Sequence, residues 1–191
     1  MAELADLLAE LTSGDEARAE AAVPGLVALG EAAFPALRDL LTSPRVDDRW
    51  WALRVLAQNE QVETVWLLTA LEDPQAEVRQ CAALGLCSHP EHGSIAALVR
   101  ALSDPDSLAA NLAAAALISV GEPAVPALLD ALNEAAQAAR LNAMRALAAI
   151  GDGRAIPAMM AALEEDSALM QHWAEAGLER LGLDMVYFNP D

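Results

Sequence analysis

Apolar residues recur along this chain at helical spacing, and the stretch Leu71–Leu86 shows the rule. In LEDPQAEVRQCAALGL, Val78, Cys81, Ala82, Gly85 and Leu86 stand at i, i+3, i+4, i+7 and i+8. That spacing is the stripe of an amphipathic helix with one buried face. Asp73-Pro74 marks the turn before it, and the residues before the turn end another helix. The pattern returns at steps of about 30 residues, with Gly25-Leu26, Val55-Leu56, Ala116-Leu117, Ala146-Leu147 and Gly177-Leu178 aligning on Gly85-Leu86. Four residues before each leucine stands an alanine: Ala22, Ala52, Ala82, Ala113, Ala143 and Ala174. Small side chains at that place let neighbouring helices approach closely. Self-similarity at this period predicts an all-α protein, an α-solenoid of about six helix pairs in which each pair buries its apolar face on its neighbours. The units read as 1–31, 32–61, 62–92, 93–122, 123–153 and 154–182.

The first helices read LADLLAEL, PALRDLL, VWLLTAL, AALVRAL, PALLDAL and PAMMAAL. Pro35, Pro126 and Pro157 fall near the starts of theirs, where a missing N–H costs little. Most turns within units place Ser, Asp or Glu before the second helix, as N-caps or partners of the helix dipole. Gly30, Gly121 and Gly151 between units predict helix ends with glycine in the left-handed conformation. Unit three ends instead in the longer polar junction Ser88-His89-Pro90-Glu91-His92-Gly93. Pro24 falls inside a second helix and predicts a kink or a restart there. Residues 183–191, rich in apolar side chains, are read as a tail that caps the last pair or docks on another protein.

Composition narrows the chemistry. The net charge is -18, and all 11 basic residues are arginine. Without lysine there is no P-loop lysine and no Schiff-base amine apart from the N-terminus. So negative a chain offers little for a phosphate backbone, and nucleic acid is not expected as a partner. No long uncharged apolar run predicts a membrane span, and the acidic N-terminus lacks the basic start of a signal peptide. Cys81 and Cys87, six apart on one helix, point to different faces and are expected to stay reduced in a cytoplasmic setting.

The segments EDPQAEVRQCAALGL, RLNAMRALAAIGDGRAIPAMMAAL and VGEPAVPALLDAL resemble HEAT repeats, of the short bacterial type found in phycobilisome-lyase-like proteins. The resemblance implies right-handed stacking of the helix pairs, with second helices lining a concave side. It also implies a recurrent Arg after the Val78 position, matched by Arg49, Arg79 and Arg140 and replaced by Ala19, Ala110 and Gln171. Such an Arg usually ties neighbouring turns through an acid such as Asp48, Asp73 or Glu134; an anion-binding role for Arg49 and Arg79 is the alternative. HEAT-repeat hydroxylases with a di-iron centre carry His-Glu dipeptides, but none of His89, His92 and His172 is followed by Glu. No metal and no cofactor is therefore expected, and the histidines read as exposed or partly packed. No Ser-His-Asp order carries geometry either.

The expected function is non-catalytic: a scaffold or adaptor that meets a partner protein on its concave face. From the Gln80 position and its neighbours, the residues expected there are Arg49, Trp50, Leu53, Arg54, Arg79 and Gln80. Further along, Asn111, Leu141, Met144, Arg145 and His172 take equivalent places. Trp, Met and Arg are enriched at interface centres, and Trp50 and Arg54 form an i, i+4 pair able to stack as ring and cation. Trp50 reads equally as a filler between narrow helices, and Trp51 reads as one. The acidity favours a basic partner. A different class of reading is an accessory or chaperone-like lyase subunit acting on a cofactor-bearing protein, as the resemblance to bilin lyases implies.

Overall fold

The computed structural model describes residues 2–134, 136–165 and 167–183. Among them are twelve α-helices and no strand. They form two compact units, Met1–His89 and Pro90–Asp191. The first holds α1 (Ala2–Leu11), α2 (Glu16–Leu29), α3 (Phe34–Leu40), α4 (Val46–Leu56), α5 (Thr64–Ala70) and α6 (Ala76–Ser88). The second holds α7 (Ile95–Ala101), α8 (Ser107–Val120), α9 (Val125–Glu134), α10 (Gln137–Ile150), α11 (Ile156–Ala162) and α12 (Ala168–Arg180). In each unit every helix packs on the other member of its pair, and the second helices stack in succession: α2 on α4 on α6, and α8 on α10 on α12.

The repeat explains the core. Leu26, Leu56, Leu86, Leu117, Leu147 and Leu178 are at most 1% exposed, and the alanines four residues earlier at most 2%. Each such leucine contributes about 1.5–3 kcal/mol by leaving water. The buried arc is wider than one stripe, however. On α6 it comprises Val78, Ala82, Ala83, Gly85 and Leu86, while Cys81 is half-buried. A second helix in a stack meets both its pair partner and its neighbouring second helices, so a position beside the stripe is covered as well. Leu84, one residue further round, is 57% exposed.

Local chemistry sets the ends. Asp15, Asp106 and Ser167 cap α2, α8 and α12 by accepting from the N–H groups of Arg18, Ala109 and Met170. The helices α4 and α6 have no side-chain cap but carry Asp47, Asp48 and Glu77 in their first turns, where carboxylates complement the dipole. Gly30, Gly121 and Gly151 all have positive φ; Gly151 is left-handed, whereas Gly30 and Gly121 have ψ of -136° and -143°. Of the kink or restart expected at Pro24, the restart does not occur, because α2 runs on through the proline. Pro24 and Glu20, whose carbonyl loses its partner, are both exposed, where water can satisfy what the ring removes. His89 closes α6 with its Nε2 2.9 Å from the Ala57 carbonyl oxygen, the packed role expected of an imidazole here. Of the C-terminal segment, residues 184–191 lie outside the described residues.

Candidate functional site

Arginines at one repeat position join neighbouring turns. Arg49 donates from Nε and Nη2 to both carboxylate oxygens of Asp73, at 2.7 and 2.9 Å, and from Nη1 to the Ser43 carbonyl at 2.9 Å. Arg140, three repeats further on, makes a similar link, reaching the Leu132 carbonyl at 2.9 Å and Glu165 Oε1 at 2.7 Å. Arg79 donates to the carbonyls of Asp73 and Pro74. Gln171 keeps the short-range half of the pattern, donating to the carbonyls of Leu163 and Glu165. The acid therefore comes from the following turn: Asp73 and Glu165 serve, while Asp48 stands apart from Arg49. The Glu134 side chain is outside the described residues.

Burial opposes ionisation of Asp73, but the Arg49 hydrogen bonds, the Gln75 N–H and the charges of Arg49 and Arg79 together hold its carboxyl below the usual aspartate value. Arg49 is correspondingly raised by its bond to Asp73. A depressed folded-state pKa stabilises above the unfolded value and loses that contribution as pH falls through the folded one. The stability gap between the native chain and Asp73→Asn is expected to be constant above about pH 4 and to shrink below it. Chemical denaturation at a series of pH values measures it, and a gap that grew on acidification would contradict the pairing.

Three residues expected on the contact face belong to the interior. Leu53 is 0% and Met144 1% exposed, and Arg49, at 9%, is committed to Asp73. Leu53 and Met144 share the repeat position of Ala83 and are covered because that position meets an adjacent second helix. In the first unit this leaves Trp50, Arg54, Arg79 and Gln80 partly exposed, and in the second Asn111 and His172 exposed with Leu141 and Arg145 half-buried.

Trp50 packs edge to face on Trp51, with centroids 4.7 Å apart. Trp51 is buried and fills space as expected, whereas Trp50 keeps a half-open ring. Arg54 lies over both rings, its Cζ 5.4 and 5.8 Å from their centroids, and donates to Glu20 at 2.7 Å. In the second unit Arg145 Nη2 donates to the Asn111 carbonyl at 3.1 Å, and burial pulls its guanidinium below the ordinary value. His172 lies 5.1 Å from the Trp173 ring.

Burial pushes the Cys81 thiol up to about 12 and raises Cys87 as well. Both are therefore thiols at neutral pH, which makes them weak nucleophiles. Among the described residues no group of three or more His, Cys, Asp or Glu side chains is arranged to hold a metal ion. No single helix among them is long and apolar enough to cross a membrane, and the two pairs that reach that length do so across bends of 116°. Sequence reasoning took Asp48 as an acid that could tie turns; it is instead a buried carboxylate where other second helices carry Arg18, Val78, Ala109, Ala139 and Met170. The aligned repeats held that signal: one acid in a column that is apolar from the third repeat onward.

The HEAT repeats family matches residues 64–138, and the PBS lyase HEAT-like repeat family matches residues 139–165. A phycobilisome maturation protein of Synechococcus elongatus is 33% identical over 120 residues, which are 62% of this chain and 57% of that protein. The match thus spans little more than half of that relative. The complex of CpcE and CpcF of phycocyanin lyase from a Nostoc species superposes with a TM-score of 0.59 at 24% identity, over 79% of this chain and 65% of that one. A designed armadillo repeat protein in complex with the peptide (KR)4 gives 0.55 at 18% identity, over 94% and 99% of the two chains. At such identities the likeness concerns the fold, which is that of an α-solenoid.

Proposed function

From the premise that this chain is a HEAT-repeat protein of the phycobilisome-lyase-like type, we propose that it is an accessory protein that binds a bilin-carrying partner and assists its maturation. The observation that carries this reading is the 33% identity to a phycobilisome maturation protein over 120 residues. Trp50, Arg54, Leu141 and Arg145, each half-open, are the groups offered for contact: aromatic, aliphatic and cationic side chains that dominate interfaces elsewhere. A net charge of -18 favours a partner with a basic patch and speeds the encounter. The two cysteines, held as thiols, favour binding over covalent chemistry by the chain itself.

The test mixes the purified chain with phycobiliprotein subunits, with and without pigment, and follows complex formation by size-exclusion chromatography. Co-elution is expected, and Trp50→Ala is expected to weaken it about tenfold while the helical circular dichroism stays native. No complex with either form would end the proposal. The lyase relatives favour a second reading, in which the chain turns over. Bilin attachment to the subunit, followed by visible absorbance, separates the two: substoichiometric chain sustains attachment if it is catalytic, and only stoichiometric chain helps if it acts by binding.

A further inference from the structure

The arginine pattern lacks a rung at its start. Where Arg49 and Arg140 stand in later pairs, the first pair has Ala19, 1% exposed, and Ser43 occupies the place that Asp73 takes one unit on. A carboxylate is present at this junction all the same. Asp48 is 6% exposed, and its Oδ2 accepts from the Ser43 hydroxyl at 2.8 Å. Its Oδ1 is buried without a hydrogen-bond partner. The nearest cation, Arg45 Nη1, is 3.6 Å from it and donates instead to the Thr12 carbonyl at 3.1 Å; 3.6 Å is beyond hydrogen-bond reach. A buried carboxylate oxygen with no donor is costly to maintain, so this one is placed to accept.

Beside it opens a cleft of about 270 Å³ lined by Glu16, Arg45, Asp47, Asp48 and the rings of Trp50 and Trp51. Three carboxylates and two indoles outweigh the single cation. A guanidinium is the group that suits both walls, because it donates in a plane to carboxylates and stacks on aromatic faces. We propose that this cleft takes an arginine side chain from a partner protein, which would donate to the carboxylates of Asp47 and Asp48 as Arg49 donates to Asp73 at the next junction. The inference rests on the protein-binding reading above and gives the partner its recognition chemistry.

The probe is a short uncharged Gly/Ser peptide carrying one arginine, titrated at physiological salt and read by tryptophan fluorescence. The same peptide with citrulline, which keeps the shape and loses the charge, is expected to bind about tenfold more weakly. Asp48→Asn is expected to weaken the arginine peptide about tenfold and Asp47→Asn about threefold. Glu175→Gln removes the same charge at an exposed site in the other unit and is expected to change binding less than about twofold. Equal binding of the two peptides, or an equal effect of Glu175→Gln and Asp47→Asn, overturns the proposal. If Asp48→Asn does not fold, Asp47→Asn, which is exposed, carries the test alone. A chain that binds the arginine peptide but no phycobiliprotein subunit defeats the functional reading only. One whose Asp47→Asn variant holds the subunit at native strength, and whose native form ignores the peptide, defeats this inference only.

Discussion

Replacing Arg49 by alanine is expected to lower the unfolding free energy by about 3 kcal/mol, the lower end of the range for breaking a buried pair by removing one partner. Both side chains are about 10% exposed and share two hydrogen bonds, so solvent screens them little. The change strands the Asp73 carboxylate and also removes the donor to the Ser43 carbonyl. Most of the loss comes from the stranded charge. Arg49→Ala combined with Asp73→Asn is therefore expected to be more stable than Arg49→Ala alone. Urea denaturation of the native chain, both single variants and the double variant closes the cycle. If the double variant loses the sum of the two single losses, the residues are not coupled and the turn-to-turn link fails.

Gly177→Val is expected to cost a similar amount, about 3 kcal/mol, at the top of the usual overpacking range. A Cβ at Gly177 would sit 2.7 Å from both Sδ and Cε of Met159 and 3.0 Å from the Ala148 Cα. The methionine end can swing away, but the α10 backbone cannot. Alanine at 177 gains about 1 kcal/mol of helix propensity over glycine, yet the same approach to Ala148 is expected to outweigh it and leave a net loss of about 1 kcal/mol. Gly93 is the control, since a Cβ there meets nothing within 4 Å; Gly93→Ala is expected to stay within about 0.5 kcal/mol of the native chain. Thermal melts of the three variants decide it, and a stabilised Gly177→Ala would show that α10 and α12 have room to part.

Much of this was legible because each repeat repeats its reasons. A leucine recurring at one helical position beside a small residue four earlier has one economical explanation, and all six leucines are buried. The resemblance to HEAT repeats implied that Arg49 ties turns through an acid and left Asp48, Asp73 and Glu134 open; that Asp73 is the acid came from the coordinates. Leu53 and Met144 were misplaced for a physical reason. A single apolar stripe describes a helix packed on one neighbour, whereas α4 packs on α2, α3 and α6, and α10 on α8, α9 and α12. Pro24 misled as to a restart, since periodicity cannot say that the residue whose carbonyl it leaves unpaired is exposed. The cleft beside Asp48 depends on where two turns meet and which side chains line them, and that required coordinates.

The helix α8 buries Ala109, Ala110, Ala113, Ala114, Ala116 and Leu117. Five of those six side chains have no rotamers to surrender, so fixing this helix costs backbone freedom and little else. The same economy limits what it gains, because a methyl group removes little oily area from water. Its hold on α7 and α10 therefore depends on how near they come. A larger side chain at any of these buried alanines would widen that spacing, so the buried face of α8 has little freedom to change.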